Sequence, residues 1–133
     1  MSASDIYCPR LTRPPVRQPE RPPLELTPIG FEVLLSLAAS PLHGYGIKLA
    51  IEERTSGDIN LGSGTLYQAI QRLEREGLIA GASEGAVLGS DPRRGRTYRI
   101  EPLGRASLEN HLRRLSRALD YARAHRLLPS AKR

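Results

Sequence analysis

A short amphipathic segment constrains the fold of this chain more than any other feature. The segment spans residues 63–77 and reads SGTLYQAIQRLEREG. Leu66, Ile70 and Leu73 recur at spacings of four and three, which places them on one side of an α-helix. The opposite side carries glutamine and arginine, with no acid along its central line. Such a helix needs a scaffold that buries its apolar side and presents its polar side to a partner.

Two residues are predicted to mark the ends of this helix. Ser63 is the predicted N-cap, because its hydroxyl can accept a hydrogen bond from a first-turn amide. Gly77 is the predicted stop, because glycine tolerates the left-handed conformation that ends many helices. Amide and guanidinium groups pair with base edges and phosphates, so the polar side is suited to contact nucleic acid.

The charge balance agrees with an anionic partner but does not require one. The 133 residues include 20 basic and 14 acidic side chains, a formal net charge of +6. This favours a polyanion such as nucleic acid, although a basic protein without a special partner fits the charge about equally well. Cys8 has no second cysteine to pair with, and neither a secretory signal nor a membrane-spanning run is recognisable. We therefore expect one small cytoplasmic domain without a membrane partner.

Proline dominates the beginning of the chain. Residues 1–24 contain six of the 11 prolines together with several arginines. This composition predicts a disordered arm, because it cannot bury enough apolar surface to fold. The arm either lies along DNA or is a solvated tail without a role.

The region between the arm and residue 101 predicts a small helical domain with a hairpin. Thr27 and Pro28 begin a helix that extends to about Ala39, and a second helix runs from about Tyr45 to Arg54. Between them, the sequence predicts only a short connection. After the segment 63–77, two strands are predicted, at 78–80 and 96–100, and they enclose a basic, glycine-rich loop. We call this hairpin the wing.

A last helix is predicted from Pro102 to His125 or Leu127, followed by a tail at 128–133. One side of it follows a repeat of about 3.5 residues, which favours a seam between two helices. The residues predicted to form this dimer interface are Leu108, Leu112, Leu115, Leu119 and Ala122. Two heptads are too short for a free coiled coil, so this helix would also pack against other parts of the partner. The alternative is a helix folded back on its own domain.

The order of these elements predicts a mainly α fold with a small β-hairpin. Three helices followed by a wing, over residues 25–101, match a winged helix-turn-helix, and the helix at 102–127 adds a dimerisation element. In that arrangement the third helix enters the major groove of DNA, and the wing reaches the neighbouring backbone or minor groove.

Several motifs, in this order, resemble the PadR family of transcriptional regulators. They are LHGYGI at 42–47, GTLY at 64–67, RLEREGLI at 72–79 and RTYRI at 96–100, with Arg94 and Leu103-Gly104. The resemblance covers about residues 26–126. It implies a bacterial-type regulator, usually a repressor, that binds a palindromic operator as a homodimer. The single last helix resembles the shorter branch of the family, where that helix packs on the partner subunit.

The sequence departs from the family pattern at three places. Gln68 stands where the family often has proline, so base contacts there are expected to differ. Glu101 stands where the family usually has threonine, which weakens the cap of the last helix. The arm lies outside the common pattern.

Specific roles in DNA binding follow from side-chain chemistry. Gln68 is the first candidate for reading a base, since an amide pairs bidentately with adenine, and Gln71 is the second. Tyr67, Arg72 and Arg75 are expected to grip phosphates, although Tyr67 has the alternative of packing at the helix edge. The full predicted set is Ser63, Gly64, Thr65, Tyr67, Gln68, Gln71, Arg72, Arg75 and, in the wing, Arg93, Arg94 and Arg96.

Other classes of function find less support. The sequence shows no set of acid, base and nucleophile, no metal-ligand spacing and no cofactor motif, so we expect neither an enzyme nor a metal site. Gly44 and Gly46 are expected to allow close packing rather than to form a phosphate loop. The alternative function is a winged-helix module that binds protein without DNA contacts. A small-molecule effector at the dimer interface is compatible with the DNA-binding reading.

Overall fold

The computed structural model describes residues 21–83 and 96–129, and in these ranges it confirms a mainly helical fold with a small antiparallel sheet. The elements in chain order are α1 Pro28–Ala39, β1 Leu42–His43, α2 Gly44–Arg54, α3 Ser63–Arg75, β2 Ile79–Ser83, β3 Arg96–Ile100 and α4 Pro102–Ala124. The tip of the wing and residues 1–20 lie outside the described residues.

The start of α1 is confirmed. The Thr27 side chain accepts a hydrogen bond from the Gly30 amide at 2.9 Å, and Pro28 occupies the first turn. This satisfies one of the amides that a helix start leaves unpaired. At α4, Glu101 is the N-cap and makes no side-chain capping bond, which agrees with the weaker cap expected there.

The end of α3 is confirmed, but its predicted cap is wrong. Gly62, and not Ser63, is the N-cap, because its carbonyl already accepts the bond from the Leu66 amide at 3.0 Å. At the other end Gly77 has φ +81°. The Leu78 amide donates to the Leu73 carbonyl at 2.9 Å, so the helix closes as a Schellman motif.

The sheet contains a strand that the sequence did not predict. The strand order is β1-β3-β2, and both pairs are antiparallel. Leu42 pairs with Tyr98 and His43 with Thr97, so β1 forms inside the predicted short connection. A strand of two residues has too little alternation to be read from sequence and exists only because β3 offers it a partner.

The core lies between α1, α2, α3 and the sheet. Its most buried side chains come from every element except β1: Val33, Leu34, Leu37, Ile47, Ile51, Leu66, Ile70, Leu73, Leu78, Ile79, Tyr98, Leu103 and Leu108. Tyr98 is 2% exposed, which confirms its prediction as a core residue. Leu66, Ile70 and Leu73 of α3 are all buried, so that helix is fixed against the core.

Only the first turns of α4 belong to this core. Leu108 was predicted at the dimer seam, but it is 3% exposed within its own chain and offers almost no surface to a partner. Leu112 and Leu119, in contrast, are 37% and 38% exposed. With its 23 residues, α4 is about 34 Å long, and its second half projects from the domain.

The last residues of the predicted arm are held by the domain. The Leu24 amide donates to the buried Ser107 hydroxyl at 2.9 Å, and Arg21 donates to the Glu76 carbonyl at the end of α3. Glu25 pairs with Arg114 at 3.3 Å. The packed domain therefore begins before residue 25.

Candidate nucleic-acid interface

The helix α3 presents one continuous polar face to solvent. Its buried side is fixed by Leu66, Ile70 and Leu73, which are between 0% and 4% exposed. The residues of the predicted interface that lie exposed on the other side are Ser63, Gly64, Thr65, Gln68, Gln71, Arg72 and Arg75. A rigid helix with this face positions amide and guanidinium groups within reach of an approaching duplex.

A groove runs along this face. It has a volume of about 660 Å³ and lies between α3 and the first turn of α1 with the residues before it. Thr65, Gln68, Gln71 and Arg75 line one wall, while Thr27 lies on the other. The structure therefore brings the predicted base-reading and phosphate-binding residues to one concave surface.

The charges on α3 are partly compensated within the helix. Arg72 Nε lies 3.3 Å from Glu76 Oε2, and both side chains remain at least one-third exposed. An exposed pair of this kind contributes little to stability and separates readily. Arg72 can therefore exchange Glu76 for a phosphate at small cost. Arg75, three residues after Arg72, is also exposed in the last turn of α3.

Tyr67 lies at the edge of α3 and touches α2. Its ring packs against the core, and a Cβ atom placed on Gly44 would lie 2.6 Å from its hydroxyl. The ring therefore packs at the helix edge, the alternative considered for Tyr67, while the residue keeps part of its surface exposed. Glycine at position 44 leaves room for the Tyr67 hydroxyl. Gly46 differs, since a Cβ there would make only ordinary contacts.

The wing arginines divide into two groups. Arg93 and Arg94 lie outside the described residues. Arg96 is the first residue of β3 and lies 3.0 Å from Glu74 of α3. The sequence singled out Arg96 for DNA, yet gave no role to Glu74. Sequence spacing could not reveal this pair, because 22 residues separate Glu74 from Arg96 and only the tertiary fold brings them together.

The part of the chain that the structure describes contains no cluster of three or more histidine, cysteine, aspartate or glutamate side chains able to hold a metal ion. His111 contacts the Phe31 ring, with centroids 4.6 Å apart.

Across the residues that the structure describes, no helix is long and apolar enough to cross a membrane.

The chain packs three helices around one core, exposes the polar side of the third helix and places a β-hairpin beside it. This arrangement defines a winged helix-turn-helix protein. The comparison with protein families then narrows this class. The model of the transcriptional regulator PadR-like family matches residues 33–110. The chain belongs to the PadR-like family of DNA-binding transcriptional regulators, which are not enzymes.

Solved structures of other proteins share this fold. A transcriptional regulator from Clostridium thermocellum has a TM-score of 0.58 at 23% identity, covering 72% of this chain and 87% of that one. Bacillus subtilis PadR in complex with operator DNA has a TM-score of 0.54 at 20% identity, covering 63% of this chain and 46% of that one. At these identities the likeness establishes the fold.

A relative in sequence comes from Streptomyces fradiae. It is described as an uncharacterized 37.1 kDa protein in transposon TN4556 and is 40% identical over 85 residues. These residues are 64% of this chain and 22% of that protein. The chain thus spans about a fifth of the length of the curated relative it matches.

Proposed function

We propose that this protein is a cytoplasmic, dimeric repressor that places α3 in the major groove of a palindromic operator. The observation that carries the proposal is the exposed row of glutamine and arginine on a helix whose other side is fully buried. A polar face that served only solubility would tolerate acids along its centre, and here it has none. The structure of Bacillus subtilis PadR with operator DNA supports this use of the fold.

The side chains of α3 divide by chemistry. Gln68 and Gln71 read base edges, because an amide both donates and accepts hydrogen bonds in the major groove. Arg72 and Arg75 bind phosphates, which sets the position of the helix. Thr65 touches a thymine methyl group or a phosphate. Three further groups complete the phosphate contacts: the α3 N-terminus at Ser63 and Gly64, the Tyr67 hydroxyl, and the wing residues Arg93 and Arg94.

Dimerisation rests on the projecting half of α4. Leu112, Leu115, Leu119 and Ala122 share one side of this helix, and each keeps part of its surface exposed. Exposed leucines in a row are stabilised by burial against a second copy. A two-fold pair then sets the two α3 helices about 34–36 Å apart, the separation of successive major-groove faces on one side of DNA.

Selection of bound duplexes from a random-sequence library tests this function. We expect the recovered sequences to share two inverted half-sites about one helical turn apart. Recovery of no preferred sequence, with no salt-dependent binding to random DNA, would instead support the protein-binding module. Repeating the selected binding reaction with fractionated small molecules from cell extract tests for an effector, whose presence would lower operator occupancy.

Gln68→Ala is expected to reduce preference for the operator more than affinity for DNA in general. Loss of a bidentate base contact removes about 1–3 kcal/mol of discrimination against the wrong base. The measurement compares dissociation constants on the selected duplex and on a random duplex at one salt concentration. Arg75→Ala is the matched control, because loss of a phosphate contact weakens binding to both duplexes alike. Equal losses on both duplexes for Gln68→Ala would contradict the base-reading role.

A further inference from the structure

We propose that Glu74 and Arg96 form a clasp that fixes the direction of the wing relative to α3. This inference rests on the proposed DNA-binding function, but it assigns the two residues a different task from contacting DNA. Arg96 then acts through the wing as a positioning residue. Its charge serves an intramolecular pair instead of a phosphate.

The contacts of Arg96 join β3 to α3. Its Nη2 atom lies 3.0 Å from Glu74 Oε2 on α3, and its guanidinium carbon lies 5.6 Å from the centre of the Tyr98 ring on β3. The Arg96 and Glu74 side chains are only 34% and 27% exposed, and Arg96 Nε is buried. A guanidinium held by a carboxylate and an aromatic face is far more restrained than a solvated arginine.

Glycine at position 81 makes room for this contact. Gly81 of β2 pairs with Tyr98 across the sheet. A Cβ atom there would lie 2.7 Å from Arg96 Nη2, 2.9 Å from Tyr98 Cε1 and 3.0 Å from Glu74 Oε2. All three groups of the clasp thus meet above one residue without a side chain. The missing side chain at Gly81 leaves space for the Arg96 side chain to extend across β2 to α3.

The clasp also explains an acid on the helix that faces DNA. Glu74 precedes Arg75 on α3, where an unpaired carboxylate would repel phosphate. Paired with Arg96, its charge is compensated within the protein. Arg94 precedes Arg96 by two residues in the sequence. We therefore expect the position of Arg96 against α3 to limit where the preceding arginines can reach.

The variant Glu74→Gln tests the clasp by the direction in which the affinity for DNA changes. The change makes the protein more positive by one charge, so simple attraction would strengthen binding to DNA. The clasp predicts the opposite: binding to the selected duplex weakens by about fivefold, and the salt slope falls by about 1, because the wing loses its fixed direction. Glu109→Gln on exposed α4 is the matched charge control and should not weaken binding. Tighter binding by Glu74→Gln would overturn the proposal.

Two more variants separate position from charge. Gly81→Ala leaves every charge in place but displaces Arg96, so it should weaken binding as Glu74→Gln does. The pair Glu74→Arg with Arg96→Glu reverses the clasp at constant net charge and should recover binding relative to either single change. If Arg96 grips a phosphate, the double variant will bind worse than Glu74→Arg alone, which would refute the clasp.

A distance measurement on the protein without DNA tests the clasp independently of DNA binding. Spin labels at Gln71→Cys and Ala82→Cys, in a Cys8→Ser background, report the separation of α3 and the wing strand. We expect a narrow distance distribution that broadens with Glu74→Gln and stays narrow with Glu109→Gln. A distribution unaffected by Glu74→Gln would overturn the clasp. Absence of DNA binding by the unaltered protein would refute the proposed function, while these distances still decide the clasp.

Discussion

Leu115→Glu is expected to convert the protein to monomers and to weaken operator binding by at least about 100-fold. The side chain lies in the middle of the leucine row on α4 and is only partly covered by its own chain. A partner that buries this position would enclose an unpaired carboxylate, which costs several kcal/mol. A monomer binds one half-site and loses the gain from holding the second half-site nearby.

Light scattering and operator titration measure this result together. Ala124→Glu is the matched control, because residue 124 lies nine residues further along α4, which places it on the opposite side of the helix. It adds the same charge in an exposed position and should leave the dimer intact. A Leu115→Glu protein that remains dimeric would show that the two copies meet elsewhere.

Gly104→Ala is expected to destabilise the fold by about 3 kcal/mol, against the usual preference of helices for alanine. Gly104 lies in the first turn of α4, where a Cβ atom would come within 2.1 Å of the Leu78 carbonyl oxygen and 3.0 Å of Ile100 Cγ1. The Leu78 carbonyl also accepts a hydrogen bond from the Glu101 amide at 2.9 Å. Because the nearest atoms belong to the backbone of Leu78, a side-chain rotation cannot relieve this overlap.

Denaturant unfolding measures the change in free energy. Gly64→Ala is the matched control, since Gly64 also lies in the first turn of a helix but has nothing within 4 Å of its added Cβ. That variant should be neutral or more stable by up to about 1 kcal/mol. Equal stability of Gly104→Ala and the unaltered protein would mean that α4 does not start against Leu78.

Sequence reasoning succeeded where local chemistry decides the structure. Thr27 with Pro28 begins α1, and Gly77 ends α3, because caps and stops depend on residues within one turn of each other. The burial of Leu66 and of its partners along α3 followed from spacing alone. These features placed the candidate recognition face correctly as an exposed surface.

The same reasoning failed where a distant part of the chain supplies the partner. The cap at Ser63 was displaced by one residue, a local error of the size usual at helix ends. The strand β1 and the burial of Leu108 are different in kind, because each depends on contacts with an element far away in sequence. No local pattern marks such residues.

The sequence by itself determined the helix α3, its two faces and the basic composition that favours DNA. Tertiary structure alone decided which of the predicted arginines pairs with an acid on another element. From the sequence alone, Arg96 and Arg75 were both predicted to contact DNA. Folding brings Glu74 and the Tyr98 ring to Arg96 across the space above Gly81, and the availability of a charge depends on the groups that surround it in space.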